Sequence, residues 1–445
     1  MNYIYFTKKY WFIGLIVLIV ALNSLIFLPK YGAWGGPSDV EYNEIAINMA
    51  NGDGFSLGGA KTMFREPAYP FFLFLNYKIF GFNPNVVRIE QFILLFLIIY
   101  LTYIISYRIF GILTARFASM AVAGLPIFSI YATDLISEIF ATFLVVLFAY
   151  VFIRSMESQS KGSHWIAGLV FGLLILTKSI FIFLPILILL IYLAKGRKDG
   201  LKNILIFLFV VFIVVSPWVY RNYINFEKMS VADRGGMLLY IHSLKSEFSG
   251  GELRDYAVAA LTGEYIVRLY NPAFNIVAGE GIYLMNERRV ALLGSDLNSS
   301  SADKVMAREA KELYLKYPIK NLFIGFLEVV KVNAPMAPKY TIMFAFPGDI
   351  SSSSFEKIMK AGIVLSIRLL WTIVLFIALI GAYKSLKEKN IKVILILLFI
   401  IYLNGVIFFL QGVPRFVFVI YPFYFIFFAF GISIILNKFF YGNKK

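Results

Sequence analysis

Three kinds of residue in this chain are equipped for chemistry, and their positions indicate which. Asp39 and Glu41 lie in SDVEYNEIAINMANGDGF (38–55), directly after the first apolar segment. Asp134 and Glu138 stand four residues apart in ATDLISEIF, a spacing that puts two side chains on one face of a helix. Arg65, Lys178, Arg221 and Arg415 are single cations at the ends of apolar segments. A carboxylate in such a place can take a proton from a hydroxyl. Cations gathered at one level can meet the charge of a phosphate. Each feature also has a plainer role: Asp39 complementing a helix N-terminus, Asp134 and Glu138 capping, the cations snorkelling to lipid headgroups. Other chemistries fall away. With no cysteine there is no disulfide, thiolate nucleophile or cysteine metal site, and the two histidines, His164 and His242, are far apart in sequence.

The elements that must position these residues are membrane helices. The chain is 60% hydrophobic, 18% aromatic and 15% charged, with a mean hydropathy of +0.77. Soluble domains are nearer half apolar and a quarter charged. The composition predicts an all-α polytopic membrane protein with about ten transmembrane helices, near 11–28, 86–108, 117–133, 136–153, 164–177, 180–194, 203–219, 361–381, 391–410 and 416–436. The first lacks a small-residue cleavage site and reads as an anchor. If Lys8 and Lys9 are cytoplasmic, alternate loops carry Arg108, Arg116, Arg154, Lys161, Lys195, Lys202, Lys384, Lys392, Lys438 and Lys445 to the same side. That places both termini in the cytoplasm and assigns the +16 net charge to basic loops, with the bilayer and no nucleic acid as partner. Arg65, Lys178, Arg221 and Arg415 fall on the opposite, outer side, where positive charge is depleted unless used. Lys-, Ile-, Asn- and Phe-rich usage points to the plasma (inner) membrane of a prokaryote.

Two outer pieces remain, residues 29–85 and about 221–317. In the first, Ser38-x-x-Glu41 reads as a capping box starting a helix at Ser38, with Asp39 at its first position. Tyr42, Ile45, Ala46 and Met49 share one face, and Asn51-Gly52 ends the helix. PAYPFFLFLNYKIFG (67–81) is apolar but too short to cross, and reads as an amphipathic juxtamembrane helix. In the second piece, 301–318 has helical periodicity with Val305, Ala310, Leu313 and Leu315 apolar. Residues 319–346 are apolar but interrupted by Glu328 and Lys331, and read as interfacial or re-entrant. The chain thus divides into a membrane module (1–220), a mainly helical extracytoplasmic domain (221–317) and an interfacial segment with three final spans (318–445). No internal repeat is evident.

The ordered set SDVEYNEIAINMANGDGF, REPAYPFFLFLNYKIFG (65–81), SEIF (137–140), PWVYRNYINF (217–226) and PRFVFVIYPFYFIFFAFGI (414–432) resembles the GT-C superfamily of membrane glycosyltransferases. The resemblance is to the branch related to dolichyl-phosphate-mannose–protein mannosyltransferases, and it runs nearly end to end. It implies a GT-C-like fold and transfer of a sugar from a polyprenyl-phosphate donor, on the extracytoplasmic face, to a hydroxyl of a protein, lipid or glycan acceptor. It makes Asp39 the general base with Glu41 beside it, and inversion at the anomeric carbon. Asp134 or Glu138 matches a second acid, grouped with Tyr69 and Tyr42 as the acceptor or donor site. Arg65, Lys178, Arg221 and Arg415 would face the donor phosphate. A divalent cation (Mg or Mn) bridging Asp39 and Asp134 is compatible with the pattern. Many members carry Arg-Tyr where this chain has Arg415-Phe416, which removes a hydroxyl but keeps the cation. Two alternatives stand beside this: a lipid-linked oligosaccharide polymerase or ligase, and a lipid or solute transporter or flippase. A transporter would place ionisable residues at mid-span, whereas here they gather at the outer ends.

Overall fold

A computed structural model describes residues 2–31, 37–158, 161–194, 201–272, 274, 300–334, 354–388 and 390–441. Long apolar runs give the long helices, and Gly or Pro stands at several helix ends. The first stretch forms α1 (Asn2–Tyr31), α2 (Pro37–Asn51), α3 (Ala68–Phe80), α4 (Pro84–Phe110), α5 (Ile112–Gly124), α6 (Pro126–Thr133), α7 (Glu138–Ser158), α8 (Lys161–Thr177), α9 (Leu184–Ala194) and α10 (Leu201–Phe226). There follow α11 (Gly235–Leu244), α12 (Gly250–Thr262), α13 (Glu264–Arg268), α14 (Ser300–Lys316), α15 (Pro318–Val332), α16 (Ser354–Leu386), α17 (Ile391–Ile407), α18 (Pro414–Phe418) and α19 (Tyr421–Tyr441).

Among the described residues five helices are long and apolar enough to cross a membrane: Pro84–Phe110, Glu138–Glu157, Leu201–Phe226, Phe355–Leu386 and Tyr421–Phe439. Four shorter apolar helices, Trp11–Leu25, Gly162–Thr177, Ser179–Ile191 and Ile391–Ile407, coincide with other expected spans. The span expected over 117–133 is not one helix. α5 and α6 meet at a 51° bend, because Pro126 cannot donate into the helix ahead of it and holds Leu125 extended.

The chain divides into two compact units. The first comprises residues 1–231, 377–399 and 419–445. Its helices pack closely where side chains are small. A Cβ on Gly168 would lie 2.7 Å from that of Val210, and one on Gly172 would lie 2.6 Å from that of Val214, so this pair lets α8 lie against α10. Phe148, Phe152, Phe171, Phe207 and Phe399 form a buried aromatic core, with Phe148 and Phe171 edge to face at 4.6 Å. α2 lies on α3 through Tyr42, Ala46, Tyr69, Leu73 and Tyr77. Between them a short antiparallel hairpin pairs Ser56–Leu57 with Ala60–Lys61, turning on Gly58 and Gly59 at φ 60° and 77°.

The second unit comprises residues 232–376 and 400–418. Tyr240, Ile241 and Leu244 of α11 pack on Ala302, Met306, Ala310 and Leu313 of α14. The buried stripe of α14 therefore differs from the expected one: Met306 is inside, while Leu315 is 73% exposed. The helix is rotated so that the i, i+4, i+8 row from Ala302 meets α11. At the centre of this unit Glu328, fully buried, accepts from Lys245 at 2.9 Å, Lys331 at 2.7 Å, the Tyr256 hydroxyl at 2.6 Å and the Gly412 N–H at 2.8 Å.

Candidate active site

α2 begins at Pro37, one residue before the expected start, so Ser38 lies inside its first turn. Proline is suited to that first position because its fixed φ matches the helix. Asp39 sits in the same turn; its side chain lies outside the described residues. The predicted face is confirmed from Tyr42 on: Tyr42, Ile45 and Ala46 are buried, Met49 is half-buried, and Gly52 at φ 97° ends the helix.

Around the N-terminal half of α2, four chain segments each contribute two consecutive residues to a closed polar ring. Glu41 forms an ion pair with Arg65. Next to Arg65, Glu66 Oε1 accepts from the Ser179 N–H at 3.1 Å and the Ser179 hydroxyl at 2.8 Å. Next to Ser179, Lys178 Nζ lies 2.9 Å from Glu138 Oε1. Next to Glu138, the Ser137 hydroxyl is 3.3 Å from that of Tyr42, which returns the ring to Glu41. Arg65 is 4% exposed and lies 4.8 Å from the Tyr42 ring centre. Burial works against its charge, yet Tyr42 and Glu41 beside it hold the guanidinium above its ordinary pKa. Glu138 is buried, and Lys178 keeps 12% of its side chain exposed. Lys178 is thus the more exposed member of that pair.

The ring gathers Glu41, Tyr42, Arg65, Lys178 and Glu138 from the expected set. It adds Glu66, Ser137 and Ser179, which the sequence reading had not singled out. The only sequence signal for Glu66 was its place beside Arg65 in REPAYP. Asp134 and Glu138 do not share a helical face. Asp134 follows α6 with an extended backbone (φ −85°, ψ 143°), and a new helix begins at Glu138. The main chain has to turn between them because α6 and α7 are separate elements. Asp134 has a positioning part through its carbonyl, which accepts from Gln91 Nε2 at 2.7 Å, while Gln91 Oε1 accepts from the Tyr69 hydroxyl at 2.9 Å. Tyr69 is therefore fully buried beneath the ring, edge to face with Tyr42 at 5.2 Å.

Arg221, near the end of α10, clasps the hairpin segment. Its guanidinium donates to Thr62 O at 2.7 Å and Phe55 O at 3.3 Å and lies 4.8 Å from the Trp218 ring centre. Arg415 is in α18 of the second unit. Among the described residues no group of three or more His, Asp or Glu is placed to hold a metal ion.

An apolar groove of about 470 Å³ lies beside Arg221, whose guanidinium is 4.8 Å from the ring centre of the lining residue Trp218. Its lining includes Pro67, Phe71, Phe140, Leu176 and Trp218. Pro67 follows Arg65-Glu66, Leu176 lies one turn or less before Lys178, and Trp218 lies one turn before Arg221.

Residues 65–220, which contain most of this arrangement, match the family described as dolichyl-phosphate-mannose-protein mannosyltransferase. The lipopolysaccharide core galacturonosyltransferase RgtB of Rhizobium johnstonii is 30% identical over 176 residues, covering 35% of this chain and 34% of that protein. The oligosaccharyltransferase AglB of Archaeoglobus fulgidus, solved with an inhibitory peptide and a dolichol-phosphate, superposes over 97% of this chain at 17% identity with a TM-score of 0.51. The same enzyme in its apo form gives a TM-score of 0.53 at 16% identity. This chain spans about half the length of that oligosaccharyltransferase, covering 51% of it. The chain is a polytopic helical membrane protein that shares the fold of that oligosaccharyltransferase, and its residues 65–220 match the mannosyltransferase family.

Proposed function

We propose that the protein transfers a sugar from a polyprenyl-phosphate carrier to a hydroxyl of a lipid, glycan or protein acceptor, on the extracytoplasmic face of a prokaryotic plasma membrane. The observation that carries this is the apolar groove beside the polar ring: its lining residues run into Lys178 and Arg221. A polyprenyl phosphate has the matching polarity, an apolar chain ending in an anion. The relatives fit: one transfers galacturonosyl groups to a lipopolysaccharide core, and one was solved with dolichol-phosphate.

In this reading Asp39, held at the start of α2, removes the proton from the acceptor hydroxyl as its oxygen attacks the anomeric carbon. The carbon–phosphate oxygen bond breaks with inversion, and the charge on the leaving phosphate is met by Lys178. Lys178 serves Glu138 with one ammonium proton and keeps two for the phosphate. Arg65 and Arg221 act through the main chain and side chains they fix, since both guanidiniums are engaged by the protein itself. Arg415 keeps its assignment to the donor phosphate. A Mg or Mn ion would require Asp39 and Asp134 together.

The test is transfer from a radiolabelled polyprenyl-phosphate sugar by purified protein in nanodiscs, with pooled membrane acceptors of the source cell. Wild type runs beside Asp39→Asn, with and without EDTA. Transfer lost in Asp39→Asn supports the base. Transfer retained there removes it from Asp39. Failure of wild type to transfer or hydrolyse any donor overturns the proposal in favour of a flippase. Sensitivity to EDTA decides the metal.

A further inference from the structure

α15 has its polarity inside out. Toward the second unit it presents Asn321 and Glu328, both buried and hydrogen-bonded. Outward it presents Ile319, Leu322, Phe323 and Phe326, which are 80%, 54%, 45% and 55% exposed. These recur at i, i+3, i+4 and i+7, one continuous face of a helix. A soluble domain seldom leaves such a face to water. At the start of the helix the ammonium groups of Lys316 and Lys320 lie 5.0 Å and 5.5 Å from the Tyr317 ring centre. Lysines and a tyrosine beside an apolar stripe are the residues of a membrane–water boundary.

The other end of α15 is tied to two apolar helices, midway along α16 and three residues before the end of α17. Trp371 Nε1 of α16 donates to Asn333 O at 2.5 Å, and Asn333 Nδ2 donates to Asn404 Oδ1 of α17 at 2.6 Å. At about 1.5 Å per residue, Trp371 lies about 20 Å along α16 from Lys384, and Asn404 lies about 18 Å along α17 from Lys392. Those lysines mark the level where both helices leave the bilayer. The two distances agree, and in a hydrocarbon core of about 30 Å they put Asn333 about 10 Å below the opposite surface. Fifteen residues of helix reach only about 22 Å, so α15 cannot cross by itself.

We propose that α15 is a re-entrant helix that enters the outer leaflet at Tyr317 and ends within it, its face of Ile319, Leu322, Phe323 and Phe326 bathed in acyl chains. The buried Glu328 cluster and the Asn333–Asn404 pair then have a further reason to be fully hydrogen-bonded, because no water reaches that depth. The segment is part of the membrane body of the protein rather than of a domain standing clear of the bilayer.

The absence of cysteine makes the test direct. Ile319→Cys, Leu322→Cys, Phe323→Cys and Phe326→Cys are made singly in the full chain, spin-labelled and placed in lipid nanodiscs. Glu312→Cys, exposed on α14, is the aqueous control. Collision with oxygen, which concentrates in lipid, is compared with collision with a nickel chelate, which stays in water. The expected result is an oxygen-to-nickel ratio several-fold above the control at the outward positions, rising from 319 to 326. Ratios equal to the control put the face in water and overturn the proposal. Low collision with both reagents means another protein surface, such as a second copy, covers the face, and also overturns it. Because four outward positions are probed independently, one misfolded variant does not decide the result.

Discussion

The sharpest prediction concerns Lys178, whose ammonium must both neutralise Glu138 and, in the mechanism above, receive the donor phosphate. Glu138 has 1% of its side chain exposed and Lys178 has 12%, with 2.9 Å between them. Removing one partner of a buried pair leaves the other charge uncompensated, at a cost of about 3–5 kcal/mol. Lys178→Met and Glu138→Gln should each therefore lower stability by about that amount, a fall in Tm on the order of 5–10 °C by the scaling of soluble domains. The double variant Glu138→Gln/Lys178→Met removes both charges while keeping shape, so most of the loss should return, a coupling that a double-mutant cycle reads directly. Activity should behave differently. Loss of a group that meets charge in the transition state costs about 10²–10³-fold in rate, so the double variant should be stable and nearly inactive. The assay pairs thermal unfolding in detergent with transfer from a polyprenyl-phosphate sugar. A double variant that is both stable and active would refute the reasoning, leaving Lys178 as a counter-ion for Glu138 and nothing more.

Two further predictions rest on hydrogen bonds, one in each unit. Glu66→Ala strands the Ser179 N–H and hydroxyl that share Glu66 Oε1, which should cost about 1–3 kcal/mol and reduce transfer by displacing Lys178; Glu66→Gln keeps an acceptor oxygen and should rescue both, and a Gln variant as impaired as Ala would show that charge, not positioning, matters. In the second unit, His242 is fully buried with its ring nitrogens 3.2 Å from Leu410 O and 3.4 Å from Asn321 O, and burial lowers its pKa from 6.5 to about 4. The unfolded chain therefore takes up this proton as pH falls below 6.5 while the folded one resists until about 4, so stability from this residue is intact above that window and falls through it, by up to about 3 kcal/mol. Thermal unfolding between pH 7 and 4 should show that slope, and His242→Gln should flatten it; parallel profiles would exclude His242 as the source.

How much of this was legible beforehand differs residue by residue. The buried face of α2 was readable because Tyr42, Ile45 and Ala46 repeat with the helix period, which is a local property. So was the end of that helix at Asn51, since Gly52 alone of its neighbours takes φ 97° without strain. The break at Pro126 was written in the sequence too, but the surrounding hydropathy concealed it. The stripe on α14 was misjudged because Val305, Ala310, Leu313 and Leu315 fit a helix as well as Met306 does; only the position of α11 selects between the rows. Glu66, Ser137 and Ser179 could not be assigned to the ring from sequence, because their partners lie 113, 95 and 113 residues away along the chain.

The sequence by itself determined that this is a membrane protein of many apolar helices. Composition and periodicity act through the solvent, and lipid accepts only backbone that satisfies its own hydrogen bonds. It also determined which residues carry charge at helix ends, since those places are readable from hydropathy. Only the tertiary structure decided which charges neutralise one another. Arg65 and Arg221 looked like phosphate ligands by type, but packing directs one at Glu41 and the other at two carbonyls of the hairpin segment. Of the two cations in this ring, Lys178 pairs with a carboxylate only 1% exposed while 12% of its own side chain stays exposed, against 5% for Arg65. Charge strength falls with distance and with exposure, and both are set by how helices far apart in sequence come to lie side by side.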